Sequence, residues 1–511
     1  VTSIQCSILK NEKTIIFAKE ELKKYAEAAR MEIPYSFVLD IETEGKSLSD
    51  HVRTDSFKLL KKGEEIHIIG SNPRSVLFGV YHACKKLFGY KWVSFLSAES
   101  LSDSLFHFDK ISHKGKMERR GLVVENYNDA AFLIKLVDWA AKHYINDLFF
   151  TFMLWDKVKN ILAPEIEKRG LTVTIGGHSM HYLAGGSASE KKQFDFRDDT
   201  WKRRLLKKIR ETCEDSASIK RVSLWPADVG IGGDQHFIAQ YIEFTETIKR
   251  QLPHLEVEHI AYNAGLSWNM LELPEDLEGA EKVDTLFAYW GRNYKQSFAD
   301  EVRAYKALQN WCHQVKESNN QISIFEYYSD HFMLGDLYPP LFHRIQADIE
   351  LFSRMGIKRI VNLIVPFIPK ESAAEMDHFY PWQSIQLMNS YFFARLAWGD
   401  DLHEIKNDFY SIFGNKQAEI KEAYEKVEEI LSEASKMNVP LFPQRIIDPE
   451  KVTKYNDIPK VLNDMKKWKI EIEQISLKPT ENTNEVYSMA VFYIDFIKQK
   501  LTRYITMWEK K

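Results

Sequence analysis

Eight short apolar runs recur through the middle of the chain, and most are followed by a stretch with helical periodicity; this alternation restricts the available folds more than any other feature. The runs are Gly121–Glu125, Asp147–Phe152, Thr172–Ile175, Arg221–Trp225, Val257–Ala261, Thr285–Tyr289, Ile322–Glu326 and Arg359–Ile364. Most are continuous rather than alternating, as expected for strands covered on both faces. Amphipathic helices are predicted between them at Ala130–Tyr144, Trp201–Cys213, Phe237–Gln251, Phe298–Glu317 and Pro340–Met355. The link near Pro274–Glu281 carries only a weak helical pattern.

Eight strands alternating with helices over about 280 residues match the size and order of a (β/α)8 TIM barrel. A doubly wound open sheet would place a glycine-rich phosphate loop after its first strand. Glu125-Asn126-Tyr127-Asn128 stands there instead. Gly230-Ile231-Gly232-Gly233 lacks both the Walker lysine and the dinucleotide spacing, and reads as a barrel loop.

The barrel is expected over residues 116–384, with a smaller unit on each side. Residues 1–115 read as a small α/β domain. Its expected strands are Thr14–Phe17, Phe37–Ile41, Phe57–Lys61, Glu65–Ile69 and Trp92–Phe95, with helices at Ala18–Ala29 and Ser75–Phe88. Residues 385–511 read as all-helical, with helices at Ile385–Ala397, Leu402–Phe413, Gln417–Met437, Val461–Ile475 and Asn484–Trp508. A proline-bearing linker holds Pro440, Pro443 and Pro449.

Composition narrows the function classes. The 69 basic and 73 acidic residues leave a formal net charge of −4, which predicts neither a nucleic-acid nor a membrane-surface partner. No apolar run of membrane-spanning length occurs, and no signal segment opens the chain, which leaves export open. Cys6, Cys84, Cys213 and Cys312 are far apart, so neither a zinc site nor a disulfide framework is expected. Oligomeric assembly stays open. Aromatic residues make up 13% of the chain, and aromatic strand ends suit sugar rings as well as a large core.

In a TIM barrel the chemistry sits at the carboxyl ends of the strands. In chain order those ends offer Glu125 and Asn126, then Trp155 and Asp156, then His178 and His181, then Asp228 with Asp234 beyond it. The later ends offer Tyr262 and Asn263, then Trp290 and Arg292, then Glu326, Tyr327, Tyr328 and Asp330. The set has carboxylates, aromatic platforms, an amide and an arginine, but no nucleophile elbow, phosphate loop or activated thiol. Glycoside hydrolysis needs two carboxyl groups across the scissile bond. Strands four and seven lie on opposite arcs of the ring, which makes Asp228 and Glu326 the leading pair. Asp228 is expected as general acid and Glu326 as base or nucleophile, with the roles exchangeable. Glu125, Asn126, His178, Tyr262, Asn263, Trp290, Arg292, Tyr327 and Asp330 are the expected sugar contacts. Asp234 reads as a loop or N-cap residue. His178-Ser179-Met180-His181 lacks the HExxH pattern, and no metal or organic cofactor is expected.

A resemblance runs through the chain in order. Gly70-Ser71-Asn72-Pro73-Arg74-Ser75, Gly79-Val80-Tyr81 and Leu87-Phe88-Gly89-Tyr90-Lys91-Trp92 resemble the small domain before the barrel in hexosaminidases and alpha-glucuronidases, as does Phe17-Ala18-Lys19-Glu20-Glu21-Leu22. Arg119-Arg120-Gly121, Ser223-Leu224-Trp225-Pro226-Ala227-Asp228, His259-Ile260-Ala261-Tyr262, Phe325-Glu326-Tyr327-Tyr328 and Ala394-Arg395-Leu396-Ala397-Trp398 resemble a bacterial group of glycosidase-like proteins with the same layout. The resemblance implies a secreted or cell-associated glycosidase acting on an acidic or N-acetylated sugar of a poly- or oligosaccharide. Two positions depart from it. Asp228-Val229 stands where hexosaminidases carry Asp-Glu, and Trp290-Gly291-Arg292 stands where alpha-glucuronidases carry a carboxylate. Arg292 is a residue that could pair with a uronate or sialate carboxylate, or equally anchor a loop. The alternatives are a non-catalytic carbohydrate-binding protein, or a polysaccharide lyase with Tyr327 or His178 as base.

Overall fold

The computed structural model describes residues 3–6, 11–42, 54–94, 106–125, 128–185, 192–231, 234, 236–263, 267–365, 383–437, 458–480 and 484–510. Among the described residues, thirteen strands form a small sheet and a closed barrel. The sheet contains β1 (Ile4–Cys6), β2 (Ser36–Ile41), β3 (Ser56–Lys62), β4 (Glu65–Gly70) and β5 (Lys110–Lys114) in the order β1-β2-β4-β3-β5. Strand β3 is antiparallel to β4 and β5, while β1, β2 and β4 run parallel. The β3–β4 hairpin turns at Gly63, whose φ of +63° lies in the left-handed region that glycine adopts without strain.

Helices α1 (Lys13–Glu27) and α2 (Pro73–Phe88) accompany this sheet. Asn72 caps α2 by accepting from the Ser75 N–H, Pro73 opens its first turn, and Gly89 closes it at φ +75°. Two expectations fail here. Thr14–Phe17 is the first turn of α1, because Glu12 accepts from the Ile15 N–H and Ile15, Ala18, Leu22 and Ala26 are buried along the helix. Residues 92–94 are not a strand: Trp92 has φ +49°, and its ring packs against Tyr25, Tyr81 and Tyr90. Strands β1 and β5 are additions; each is a short edge strand without a buried run.

The barrel strands are β6 (Arg119–Glu125), β7 (Asp147–Thr151), β8 (Thr172–Gly177), β9 (Ile219–Leu224), β10 (Glu256–Tyr262), β11 (Asp284–Ala288), β12 (Ile322–Asp330) and β13 (Arg359–Val365). All neighbours pair in parallel, and β13 pairs β6 to close the ring. All eight predicted strands are present. A helix missed from the sequence, Phe152–Glu167, follows β7 directly, so Trp155 and Asp156 belong to that helix and not to a mouth loop.

Near the amino ends of the strands lies a charged cluster. Arg359 on β13 reaches Glu258 on β10 at 2.8 Å, Arg221 on β9 reaches the same carboxylate at 3.2 Å, and Asp147 on β7 lies 3.6 Å from Arg359. Nearer the carboxyl ends the side chains are aromatic. The Trp225 ring lies 5.2 Å from Phe149 and 5.7 Å from Phe325, between centroids.

The flanking units are joined to the barrel by buried polar contacts. Asp55, with no solvent exposure, accepts from Arg74 and Asn72 of the small domain and from Arg120 and Asn146 of the barrel. Burial opposes the Asp55 charge, but Arg74 and Arg120 hold its carboxyl well below the usual carboxylate range. The helical region grips the loops after β11 and β12: Ser435 accepts from the Tyr294 N–H and donates to the Arg292 carbonyl, and Tyr493 donates to the Leu337 and Tyr338 carbonyls.

Candidate active site

At the carboxyl ends of the strands, two carboxylates from separate arcs of the ring act on a third. The three are Glu125 at the end of β6, Asp228 in the loop after β9 and Asp330 at the end of β12. Backbone irregularities aim two of them. The β6–β7 register shifts between Val123 and Glu125, and Glu125 has φ +53°, a rare conformation for a residue with a side chain. The β12–β13 register shifts between Glu326 and Ser329, which re-aims the last residues of β12.

Glu125 is partly buried, and among the described residues its carboxyl has no hydrogen-bond partner. Burial first, then the charges of Asp330 and Asp228, push it from 4.5 up to about 7. Asp330 is buried. It accepts from the Met333 N–H at 3.1 Å and, at 3.4 Å, from the Trp290 indole N–H. Asp228 is exposed and accepts a short hydrogen bond from the Tyr262 hydroxyl. Burial and the neighbouring carboxylates hold Tyr262 and Tyr327 in the phenol form well above the usual tyrosine range.

Supporting contacts hold this arrangement. Gln193 clamps the Asp228 loop, donating to the Ala227 and Val229 carbonyls and accepting from the Ala227 N–H. His178 is exposed and its Nδ1 lies 2.7 Å from the Pro226 carbonyl, which can only accept; the proton is therefore on Nδ1, and Nε2 is the nitrogen turned away. Gly176 makes room for this crossing, because a Cβ there would lie 1.8 Å from the Ser223 carbonyl oxygen.

Several expected sugar contacts have other partners. Asn263 spends both ends of its amide on the Trp290 backbone, donating to the carbonyl and accepting from the N–H. It holds Trp290 in place. Asn126 lies outside the described residues. Asp234 accepts from the His236 N–H in a local turn ahead of the helix Phe237–Gln251.

Glu326 and Arg292 lie together in a buried ion network. Side chains alternate across a strand, so Phe325 and Tyr327 face the barrel interior while Glu326 and Tyr328 face the helices. Phe325 packs on Trp225, whereas Tyr328 donates to Asp348 of the outer helix Phe342–Arg354 at 2.8 Å. Glu326 is 2% exposed; it accepts from Arg292 at 2.7 Å, from the Tyr294 hydroxyl at 2.7 Å and from the Tyr327 N–H at 3.1 Å. Burial pushes its carboxyl up, and Arg292 pulls it back. Arg292 has no exposure, and its guanidinium also binds Asp348 at 2.7 and 3.1 Å. Its charge is spent inside the protein.

The contributions of Gln193, Tyr294 and Asp348 carry no sequence signal, because each acts through a partner more than 30 residues away. A cleft of about 940 Å³ opens at the other end of the barrel, against the small domain, with Arg74, Arg119, Glu167 and Glu256 in its wall. The strand-end cluster is the better candidate, since barrel chemistry belongs to the carboxyl ends. Among the described residues, no group of three or more His, Cys, Asp or Glu is placed to hold a metal, and no helix is long and apolar enough to cross a membrane.

No protein-family model and no curated protein matches the sequence. Solved structures do match. A GH138 enzyme targeting pectin rhamnogalacturonan II aligns over 99% of this chain and 68% of its own, with TM-score 0.63 and 14% identity. A family GH115 4-O-methyl-alpha-glucuronidase with specificity for decorated arabinogalactans aligns over 99% and 72%, with TM-score 0.57 and 10% identity. A beta-N-acetylhexosaminidase from Bacteroides fragilis aligns over 82% and 91%, with TM-score 0.54 and 11% identity. At these identities the likeness is one of fold alone: the chain is similar in fold to enzymes of several glycosidase families.

Proposed function

We propose that this chain is a glycoside hydrolase in which Glu125 delivers the proton to the leaving oxygen and Asp228 is the ionised partner that attacks the sugar or activates water. The observation that carries the reading is the environment of Glu125: a carboxyl at a strand end, without a hydrogen bond among the described residues, beside two other carboxylates and raised to about 7. A group titrating there is half protonated near neutral pH, as a general acid requires. Asp330 supplies negative charge that keeps the Glu125 proton in place. Trp290 and Tyr327 offer ring faces to the sugar, and Tyr262 and His178 orient Asp228 and the rim. Glu326, the partner expected from the strand order, takes a positioning part by holding Arg292 and the Tyr327 backbone. The lyase alternative with Tyr327 as base is disfavoured, because a buried tyrosine acted on by carboxylates holds its proton and makes a poor base.

Aryl glycosides test the assignment. With a poor leaving group Glu125→Gln should lose about 10²–10⁴ in kcat. With a 2,4-dinitrophenyl leaving group, which needs no proton, the loss in bond cleavage should shrink. An equal loss on both substrates, or near-normal turnover by Asp228→Asn, would sink the assignment.

A further inference from the structure

We infer that Asn389 is a positioning residue of the candidate site: its amide closes the bulge in β12 that turns Asp330 into the barrel mouth. The inference rests on the hydrolase reading for its kinetic consequence, and adds to that reading a residue from the layer outside the barrel wall.

Side-chain parity carries the argument. Phe325 and Tyr327 face the barrel interior, so unbroken alternation would turn Ser329 inward and Asp330 outward, toward the helices. The pairing with β13 breaks that alternation. From Glu326 to Ser329 strand β12 advances three residues, while β13 advances two, from Asn362 to Ile364. The extra residue reverses the facing of everything after it. Ser329 accordingly lies against the outer helix Gln383–Trp398, its hydroxyl 2.8 Å from that of Ser390 and 3.2 Å from the Gln386 carbonyl. Asp330 is delivered to the mouth, where it accepts from the Trp290 indole N–H and acts on Glu125.

A bulge takes backbone groups out of the ladder, and in a buried wall each needs another partner. Three buried side-chain amides supply them. Asn362 accepts from the Tyr328 N–H at 3.0 Å, Asn389 donates to the Tyr328 carbonyl at 2.9 Å, and Gln386 donates to the Ser329 carbonyl at 3.1 Å. Asn389 has no exposure. It also donates to the Pro339 carbonyl at 3.2 Å and accepts from the Leu341 N–H at 2.9 Å, so one amide ties the bulge to the far end of the segment that follows Asp330. Without that amide the Tyr328 carbonyl is buried and unmet, and the bulge loses a contact that favours it over the regular register. In the regular register Asp330 faces away from the mouth, withdrawing its charge from Glu125 and its acceptor from Trp290.

The test compares the whole chain as wild type, Asn389→Leu and Phe392→Leu, each with and without Glu125→Gln. Leucine keeps the branched shape of asparagine and forms no hydrogen bond. Phe392 lies on the same helix but packs on Phe342 and Phe409, so its variant loosens the helix through apolar contacts. On an aryl glycoside, Asn389→Leu should lower kcat about 10- to 100-fold with KM changed less than about threefold. The high-pH limb of kcat should move down by about half a pH unit or more, the direction expected of Asp330→Asn. Calorimetry supplies a readout without activity: at pH 8 the rise in melting temperature that Glu125→Gln brings should shrink to about half or less in the Asn389→Leu background. Phe392→Leu should melt lower than wild type and leave both the limb and that rise in place. An unmoved limb with an undiminished rise in Asn389→Leu overturns the inference, as does a Phe392→Leu that moves both equally. If the rise shrinks while no protein turns over any glycoside, the hydrolase reading fails and the positioning stands. If wild type shows no rise at pH 8, the inference falls. Should Asn389→Leu not fold, Gln386→Leu, which removes the donor to the Ser329 carbonyl, is read by the same criteria.

Discussion

Replacing Glu125 with glutamine should remove activity and add stability, and pH separates the two effects. In the unfolded chain this carboxyl titrates near its ordinary 4.5, and in the fold near 7. Below pH 4.5 both states hold the proton and the residue buries no charge. As pH rises from 4.5 to 7 the unfolded chain releases its proton first, so the native state binds more protons and stability falls. Above pH 7 the loss is complete. At about 1.4 kcal/mol for each tenfold, the shift corresponds to about 3 kcal/mol. Partial solvent contact screens some of it, leaving about 2–3 kcal/mol. Glutamine has no charge to bury, so Glu125→Gln should melt with the wild type near pH 4.5 and above it at pH 8. For a barrel-sized unit about 2–3 kcal/mol amounts to roughly 4–8 °C. Scanning calorimetry of both proteins at the two pH values measures the difference directly. Equal melting temperatures at pH 8 would refute the argument, because the carboxyl would then be ionised without cost in the fold.

Other outcomes follow from the same geometry. The kcat profile should fall as pH rises past about 7, where Glu125 loses its proton, and in Asp330→Asn that limb should move to lower pH because one neighbouring charge is gone; an unmoved limb would place the titrating group elsewhere. Asp228→Asn should lower turnover by about 10²–10⁴ while leaving the melting temperature within about 2 °C, since exposed side chains contribute little to stability. Arg292→Met strands Glu326 and Asp348 without their cation and should destabilise by about 3–5 kcal/mol in denaturant titration. A wild-type midpoint would mean that the network is not load-sharing.

The barrel was legible because its cause is local and repeated. Each apolar run buries both faces of a strand, and most are followed by a helix with its own period, so the strand pattern was sampled eight times. The small domain was legible where caps and hairpin turns mark the ends, as at Asn72, Gly89 and Gly63. It was misread at Thr14–Phe17, where four apolar or β-branched residues mimic a strand until Glu12 is seen capping the helix.

The candidate site was legible only as an inventory. Every residue of the carboxylate cluster was named from the strand ends, but the roles were assigned without regard to facing. Glu326 and Tyr327 are neighbours in sequence and lie on opposite sides of the strand wall. Arg292 looked like a substrate clamp until Asp348, 56 residues away, took its charge.

From the sequence alone came the class of fold, the order of its parts and the set of strand ends able to carry chemistry, because hydrophobic periodicity and turn residues act over a few neighbours. Tertiary structure decided which of those residues meet. Two register shifts and one left-handed backbone angle turn Glu125 and Asp330 toward Asp228, and a buried ion network takes Glu326 and Arg292 away. Those outcomes depend on contacts across the ring and between layers, which no local pattern encodes.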